Sequence, residues 1–177
     1  MMKFALIGAG RIGQMHGSII AGHTKTELVW VYDILEDNAI NTANTTQARV
    51  AKSLDEIFED DSLDAVLIAS STETHAELIV RAAKAGKAVF CEKPIDLDIK
   101  RVDWCWEQIQ GLQVPIQIGF NRRFDPSHRK VADTAKDGGI GNLEQVIISS
   151  RDPNPPPKEY YLAAGGMFRD MTIHDFD

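Results

Sequence analysis

The sequence predicts a doubly wound α/β domain, a parallel sheet with helices on both faces, followed by the start of a second α/β domain. Three observations carry this. Short apolar runs alternate with helical periodicities along the first two thirds of the chain. Those runs are almost continuously apolar, as in strands buried on both faces. The first run leads directly into a glycine-rich turn that opens a helix.

In order, residues 3–7 (KFALI) form a strand candidate and residues 11–21 carry helix signals. Residues 27–33 (ELVWVYD) read as a second strand, and residues 36–50 as a weak helix rich in Asn and Thr. Ser53 and Glu56 have capping-box spacing and open a short helix through Phe58. Residues 64–70 (DAVLIAS) form an apolar strand, and residues 73–86 a helix stopped by Gly86. Residues 87–92 and 114–120 are two more strands, with an amphipathic helix over roughly 97–109 between them. The first domain is therefore assigned to residues 1–119.

Residues 120–177 differ in character. A helix and a Gly-rich turn span residues 125–141, and residues 142–152 (NLEQVIISSRD) read as one strand. The run PNPPP excludes helix and central strand, because proline lacks the N–H and fixes φ. Residues 165–177 (GGMFRDMTIHDFD) return to helix. One strand and two helices do not build a core, so this part is expected to be an incomplete second domain.

Composition narrows the function classes. The chain has 177 residues, 44% hydrophobic and 25% charged, ordinary values for a globular protein. A net charge of −7 argues against nucleic acid or an anionic membrane as partner. No apolar run approaches the ~20 residues of a membrane span. The amino terminus has no signal-peptide pattern. The two cysteines, Cys91 and Cys105, form neither a disulfide framework nor a CxxC motif. A cytoplasmic location is expected.

Gly8, Gly10 and Gly13 form G-x-G-x-x-G between the first strand and the first helix. That pattern suits a dinucleotide. Gly8 permits the turn, Gly10 admits a pyrophosphate, and Gly13 lets helix and strand pack closely. The helix start at Arg11 and Ile12 offers backbone N–H groups and the positive end of its dipole. Asp33 ends the second strand, where an acid hydrogen-bonds the adenosine ribose and repels a 2′-phosphate, so NAD is favoured over NADP. Ser70, Ser71 and Thr72 leave a later strand at its carboxyl end and are candidate cofactor contacts, although Ser71 or Thr72 is equally placed to cap the next helix. His75 follows them as a structural or cofactor-neighbouring residue. Glu92 and Lys93, in the run CEKPI, stand at the same edge and face the cofactor cleft.

Asp170 and His174 are spaced i, i+4 and so share one helix face. With Lys93 they compose an alcohol-oxidation site: His174 takes the hydroxyl proton, Asp170 orients the ring, and Lys93 stabilises the developing alkoxide. The opposing reading of Asp170 and His174 is a solvated helix face. Arg122 and Arg123 suggest polyhydroxyl or anion contacts from at most one of them, since strand neighbours face opposite ways; the opposing reading is an ordinary salt-bridged surface. The run HDFD lacks a further ligand partner and hydride transfer needs no metal, so no metal is expected.

The runs GAGRIGQMH, EKP, GFNRRFD, SRDP and GGMFRDMTIHDFD together resemble the Gfo/Idh/MocA oxidoreductases over essentially the whole chain. The resemblance implies a Rossmann domain followed by an α/β domain with an open, mostly antiparallel sheet used in tetramer assembly. It implies NAD-linked oxidation of a secondary hydroxyl of a cyclic polyol, myo-inositol to scyllo-inosose. Lys93 matches the motif lysine, Asp170 and His174 match the catalytic pair, and Arg122 and Asp152 fall at substrate-contacting positions. Family members continue past this motif through most of the second sheet, so the chain is expected to be truncated relative to them. The same chemistry on another sugar, or an inactive NAD-binding module, are the alternatives.

Overall fold

A computed structural model describes residues 1–151, 154, 155 and 164–177. The chain divides into two units, Met1–Gly119 and Phe120–Asp177.

The first unit is built on one six-stranded sheet. Its strands are β1 (Met2–Ile7), β2 (Thr26–Tyr32), β3 (Arg49–Val50), β4 (Ala65–Ile68), β5 (Ala88–Cys91) and β6 (Ile116–Ile118). They lie in the order β3-β2-β1-β4-β5-β6, and every pair is parallel. Parallel neighbours need crossovers, supplied by α1 (Arg11–Gly22), α2 (Glu36–Thr46), α3 (Leu54–Phe58), α4 (Thr72–Lys84) and α5 (Ile99–Ile109).

The two-residue period of a strand divides the core between the two sheet faces. Leu6 of β1 and Leu67 of β4 pack with Ile20 of α1 and with Ala39 and Ala43 of α2. Their neighbours Ala5, Ile7, Val66 and Ile68 pack with Ala76 and Ile79 of α4 and Cys105 of α5. This two-sided burial explains why the central strands read as unbroken apolar runs.

Local chemistry sets the helix ends. Ser53 Oγ accepts the Glu56 N–H at 3.3 Å. Glu56 returns a carboxylate to the N–H of Lys52 at 2.8 Å, one residue before the cap. Asp98 caps α5 through the Lys100 N–H at 3.0 Å. Gly86 takes a left-handed φ of +73° after α4.

Residues 36–50 depart from the single helix expected there. Helix α2 stops at Thr46, Gln47 turns the chain at φ 59°, and Arg49–Val50 pair with Trp30–Val31. Strand β3 is too short for a periodicity, and its partners are distant in sequence.

The second unit opens with a 3₁₀ turn (Asn121–Phe124) and α6 (Pro126–Lys136). Asp125 caps α6 by accepting the N–H groups of Ser127 and His128, both at 2.9 Å. Pro126 occupies the first turn, where its missing donor costs nothing. The strand expected over residues 142–152 is not formed through residue 151, and Leu143, Val146, Ile147 and Ile148 are exposed. A strand needs a neighbour for its backbone groups, and the described residues of this unit include no other strand. The six-stranded parallel sheet is accordingly the only sheet among the described residues. Much of the proline-rich run lies outside them. The chain returns to helix, as expected, but as a π-helical turn (Phe168–Thr172) continuing into α7 (Ile173–Phe176). No helix among the described residues is long and apolar enough to cross a membrane.

Candidate functional site

The sheet order reverses direction between β1 and β4, and ligands of open α/β sheets bind outside the carboxyl ends of strands at such a point. Register brings Ile7 beside Ile68, so the turn after β1 lies against the turn after β4. Gly8 has φ +92°, and a Cβ there would collide with the Ala69–Ser70 peptide. A Cβ at Gly13 would collide with the Gly8 carbonyl, so α1 is seated directly on the turn. A Cβ at Gly10 would meet no atom within 4 Å. The middle glycine therefore borders open space, as a pyrophosphate approach requires.

Gly10 is the cap residue of α1 and provides no side-chain bond, and the first turn of α1 holds no acid. The N–H groups of Arg11, Ile12 and Gly13 precede the first intrahelical bond, which runs from the Gln14 N–H to the Gly10 carbonyl at 2.8 Å. Three donors and the positive dipole end are thus available to an anion. Asp33 is fixed beside them. Its Oδ2 accepts the Ala9 N–H at 2.6 Å, and its Oδ1 accepts the Leu35 N–H at 2.8 Å. The residues present fit a dinucleotide with a free ribose 2′-hydroxyl.

The turn after β4 supplies the neighbouring wall. Ser71 is the cap position of α4 but makes no side-chain cap bond, and Thr72 is the first helical residue. Ser70 Oγ instead pairs with Thr74 Oγ1 at 2.7 Å. His75 is 2% exposed. Its Nδ1 lies 2.8 Å from the Pro94 carbonyl oxygen and its Nε2 lies 3.0 Å from that of Ser70. After β5, Glu92 Oε1 pairs with His16 Nε2 at 2.7 Å. The His16 ring stands edge-on to Phe90, with centroids 5.3 Å apart. Lys93 is half-buried, and the Lys93–Pro94 peptide is cis. The structure thus brings Gly8, Gly10, Gly13, Asp33, Ser70, Ser71, Thr72, His75, Glu92 and Lys93 to the carboxyl edge of one sheet.

His16 was not singled out from the sequence. It follows Gly13 by three and precedes Ile20 by four, on the buried face of α1. A polar ring on that apolar stripe is the signal that marks it.

Asp170 and His174 belong to the second unit and Lys93 to the first. Asp170 sits in the π-helical turn, its N–H donating to the Gly166 carbonyl at 3.1 Å. His174 lies in α7, its ring edge-on to Phe120 at 6.3 Å between centroids. Both side chains are half-buried. Arg122 and Arg123 occupy the 3₁₀ turn and not a strand, so the alternation argument does not apply to them. Arg122 donates to Asp175 and, at 2.8 Å, to Ser150 Oγ. Arg123 donates through Nε to both Asp177 carboxylate oxygens, at 2.7 and 2.8 Å. Asp152 lies outside the described residues.

Sheet order, glycine turn and fixed acid define the first unit as a dinucleotide-binding Rossmann domain. Residues 2–120 match the family model of the Gfo/Idh/MocA oxidoreductases, described as an oxidoreductase family with an NAD-binding Rossmann fold, and the chain belongs to that family. It is 47% identical to an inositol 2-dehydrogenase of Rhizobium meliloti over 99% of the chain and 53% of that protein. It superimposes on the crystal structure of a myo-inositol dehydrogenase from Corynebacterium glutamicum with a TM-score of 0.92 and 46% identity, covering 99% of this chain and 53% of that one. A scyllo-inositol dehydrogenase from Lactobacillus casei, solved with NAD(H) and scyllo-inositol, matches with a TM-score of 0.76 and 31% identity, covering 80% of this chain and 43% of that one. The chain spans about half the length of the curated relatives it matches.

Proposed function

We propose that the chain carries the NAD site and catalytic residues of an inositol 2-dehydrogenase, oxidising a secondary hydroxyl of a cyclic polyol, myo-inositol to scyllo-inosose. The observation that carries the reading is the glycine turn, with open space at Gly10 and Asp33 hydrogen-bonded to the turn itself. The relatives named above support the choice of polyol.

NAD, when bound, supplies the acceptor for the hydride leaving the carbinol carbon. Arg11, Ile12 and Gly13 hold its pyrophosphate through backbone N–H groups. Asp33 accepts the ribose hydroxyl. Ser70, Ser71, Thr72, His75 and Glu92 line or support the neighbouring wall. His174 removes the proton of the reacting hydroxyl, and Asp170 orients the imidazole and stabilises its charged form. Lys93 lowers the cost of negative charge on the same oxygen. Arg122 and Asp152 contact the ring hydroxyls. The enzyme works in the cytoplasm, as its buried free thiols suit, and the full-length form is a homotetramer. Its net negative charge disfavours nucleic acid and anionic membranes.

The test is NADH formation by the purified chain with NAD and myo-inositol. Absorbance of NADH should rise with inositol and not with aldoses, and should fail in His174→Ala and Lys93→Ala. A chain that binds NADH but oxidises no cyclic polyol would overturn the proposal.

A further inference from the structure

We propose that His16 and His75 are positioning residues that grip the Glu92–Lys93–Pro94 turn from opposite faces of the sheet and thereby set where the Lys93 ammonium acts. The functional part rests on the reading of Lys93 as a catalytic residue; the grip itself stands on geometry within the first unit alone.

The turn leaves β5 at the end of Cys91, with the Glu92 N–H still bonded to the Ile68 carbonyl at 2.9 Å. From there each neighbour of Lys93 is tied to a different helix. On one side, the Glu92 carboxylate meets His16 of α1 at 2.7 Å. Helix α1 packs on the face that holds Leu6 and Leu67. The carboxylate lies against Gly119, in space that a Cβ there would crowd at 3.2 Å. Phe90 stands edge-on to the His16 ring. On the other side, the Pro94 carbonyl meets His75 of α4 at 2.8 Å. Helix α4 packs on the opposite face, with Ile7 and Ile68. Its second nitrogen lies 3.0 Å from the Ser70 carbonyl oxygen, so the ring stands between the turn after β5 and the turn after β4.

Both rings are polar groups placed where an apolar side chain would pack at less cost. Neither needs to touch substrate for its position to matter. A lysine stem is flexible, and its backbone must be fixed if its ammonium is to meet one oxygen repeatedly. Anchoring residues 92 and 94 fixes the residue between them. Displacement of a catalytic group by about 1 Å costs on the order of a hundredfold in rate, so loss of either anchor should appear in turnover before it appears in cofactor affinity.

The experiment compares the wild-type chain with His16→Ala, His16→Gln, His16→Leu, His75→Ala, His75→Asn and His75→Leu. Lysines are reductively methylated with labelled formaldehyde, and the Lys93 resonance is assigned by its loss in Lys93→Arg. The grip predicts that His16→Ala and His75→Ala move the Lys93 resonance towards those of exposed lysines. The variants His16→Gln and His75→Asn, which keep a donor, should restore it. In the His16 variants NADH dissociation constants should stay within about twofold, while in the His16 and His75 variants that lack a donor kcat for polyol oxidation falls about tenfold or more with KM for the polyol little changed. Should an alanine variant fail to fold, His16→Leu and His75→Leu remove the ring nitrogens while keeping most of the volume, and must move the Lys93 resonance. An unmoved Lys93 resonance in the folded variants overturns the grip. A moved resonance in a chain that oxidises no polyol leaves the grip standing and overturns the functional reading instead.

Discussion

Gly13 is packed directly onto the carbonyl oxygen of Gly8, with no room for a β-carbon between them, whereas a β-carbon at Gly10 would project into open space and meet no atom within 4 Å. The three glycines of the motif therefore do different work. Gly8 and Gly13 serve the fold, and on the proposed function Gly10 serves the ligand. Gly10→Ala should melt within a degree or two of wild type yet bind NADH at least about tenfold more weakly, because the methyl occupies the approach of the pyrophosphate. Gly13→Ala should lose on the order of 1–3 kcal/mol of stability by overpacking helix α1 against the turn. Thermal melting and NADH fluorescence titration on both variants separate the two roles. Equal loss of stability in both would contradict the assignment.

Asp33 is held at both oxygens by backbone N–H groups, those of Ala9 and Leu35. Its charge is thus fixed at the edge of the turn. Asp33→Ser removes the charge and the bond to Ala9. NADH affinity should fall by about tenfold, the scale of a hydrogen bond to a charged group. NADPH affinity should rise relative to it, since a 2′-phosphate no longer meets a carboxylate. Asp33→Asn should fall between the two. Dissociation constants for both nucleotides measure this, and an unchanged NADH-to-NADPH ratio in Asp33→Ser would count against the acid as the source of preference.

How much of this was legible in the sequence follows from the range of each interaction. The central strands declared themselves because Leu6 and Ile7, or Val66 and Leu67, are buried on opposite faces and leave no polar gap. The glycine turn was legible because its steric needs are local. Strand β3 was not, because its two residues exist as a strand only through Trp30 and Val31. Residues 142–151 failed in the opposite sense, having apolar residues and β propensity but no described strand beside them in their unit. At the site, Asp170 and His174 were visible as a spacing, while the π-helical turn that carries Asp170 has no sequence period to reveal it. The pair of His16 and Glu92 spans 76 positions and was beyond any local pattern.

Cys91 is fully buried and Cys105 is 2% exposed. Burial pushes both thiols above the ordinary range, for Cys91 far above, with the neighbouring Glu92 charge adding to it. The thiolate is the reactive form, so neither should be a nucleophile in the native protein. Iodoacetamide at mildly alkaline pH should leave both unmodified, and denaturant should expose both. Mass spectrometry of the labelled chain reads the outcome, and rapid alkylation of Cys91 in the folded state would show that the sheet edge opens readily.

Asp60 lies between α3 and β4. Its Oδ2 accepts the Trp30 indole N–H at 2.8 Å and its Oδ1 accepts the Ser62 N–H at 2.9 Å. A hydrogen bond from the Ser62 side chain, then that from Trp30, lowers its pKa from 3.8 to about 2. Across that interval the unfolded chain binds more protons than the folded one, so stability rises with pH there. The contribution is complete above the unfolded value of 3.8 and is lost as pH falls towards 2. Because solvent screens the carboxylate, its size should be on the order of 1 kcal/mol. Asp60→Ala should therefore destabilise the chain near neutrality, and its gap to wild type should close between those two pH values. Urea unfolding followed by circular dichroism at a series of acidic pH values measures the gap. A gap independent of pH would mean that the substitution acts through packing around Trp30 and not through the charge of Asp60.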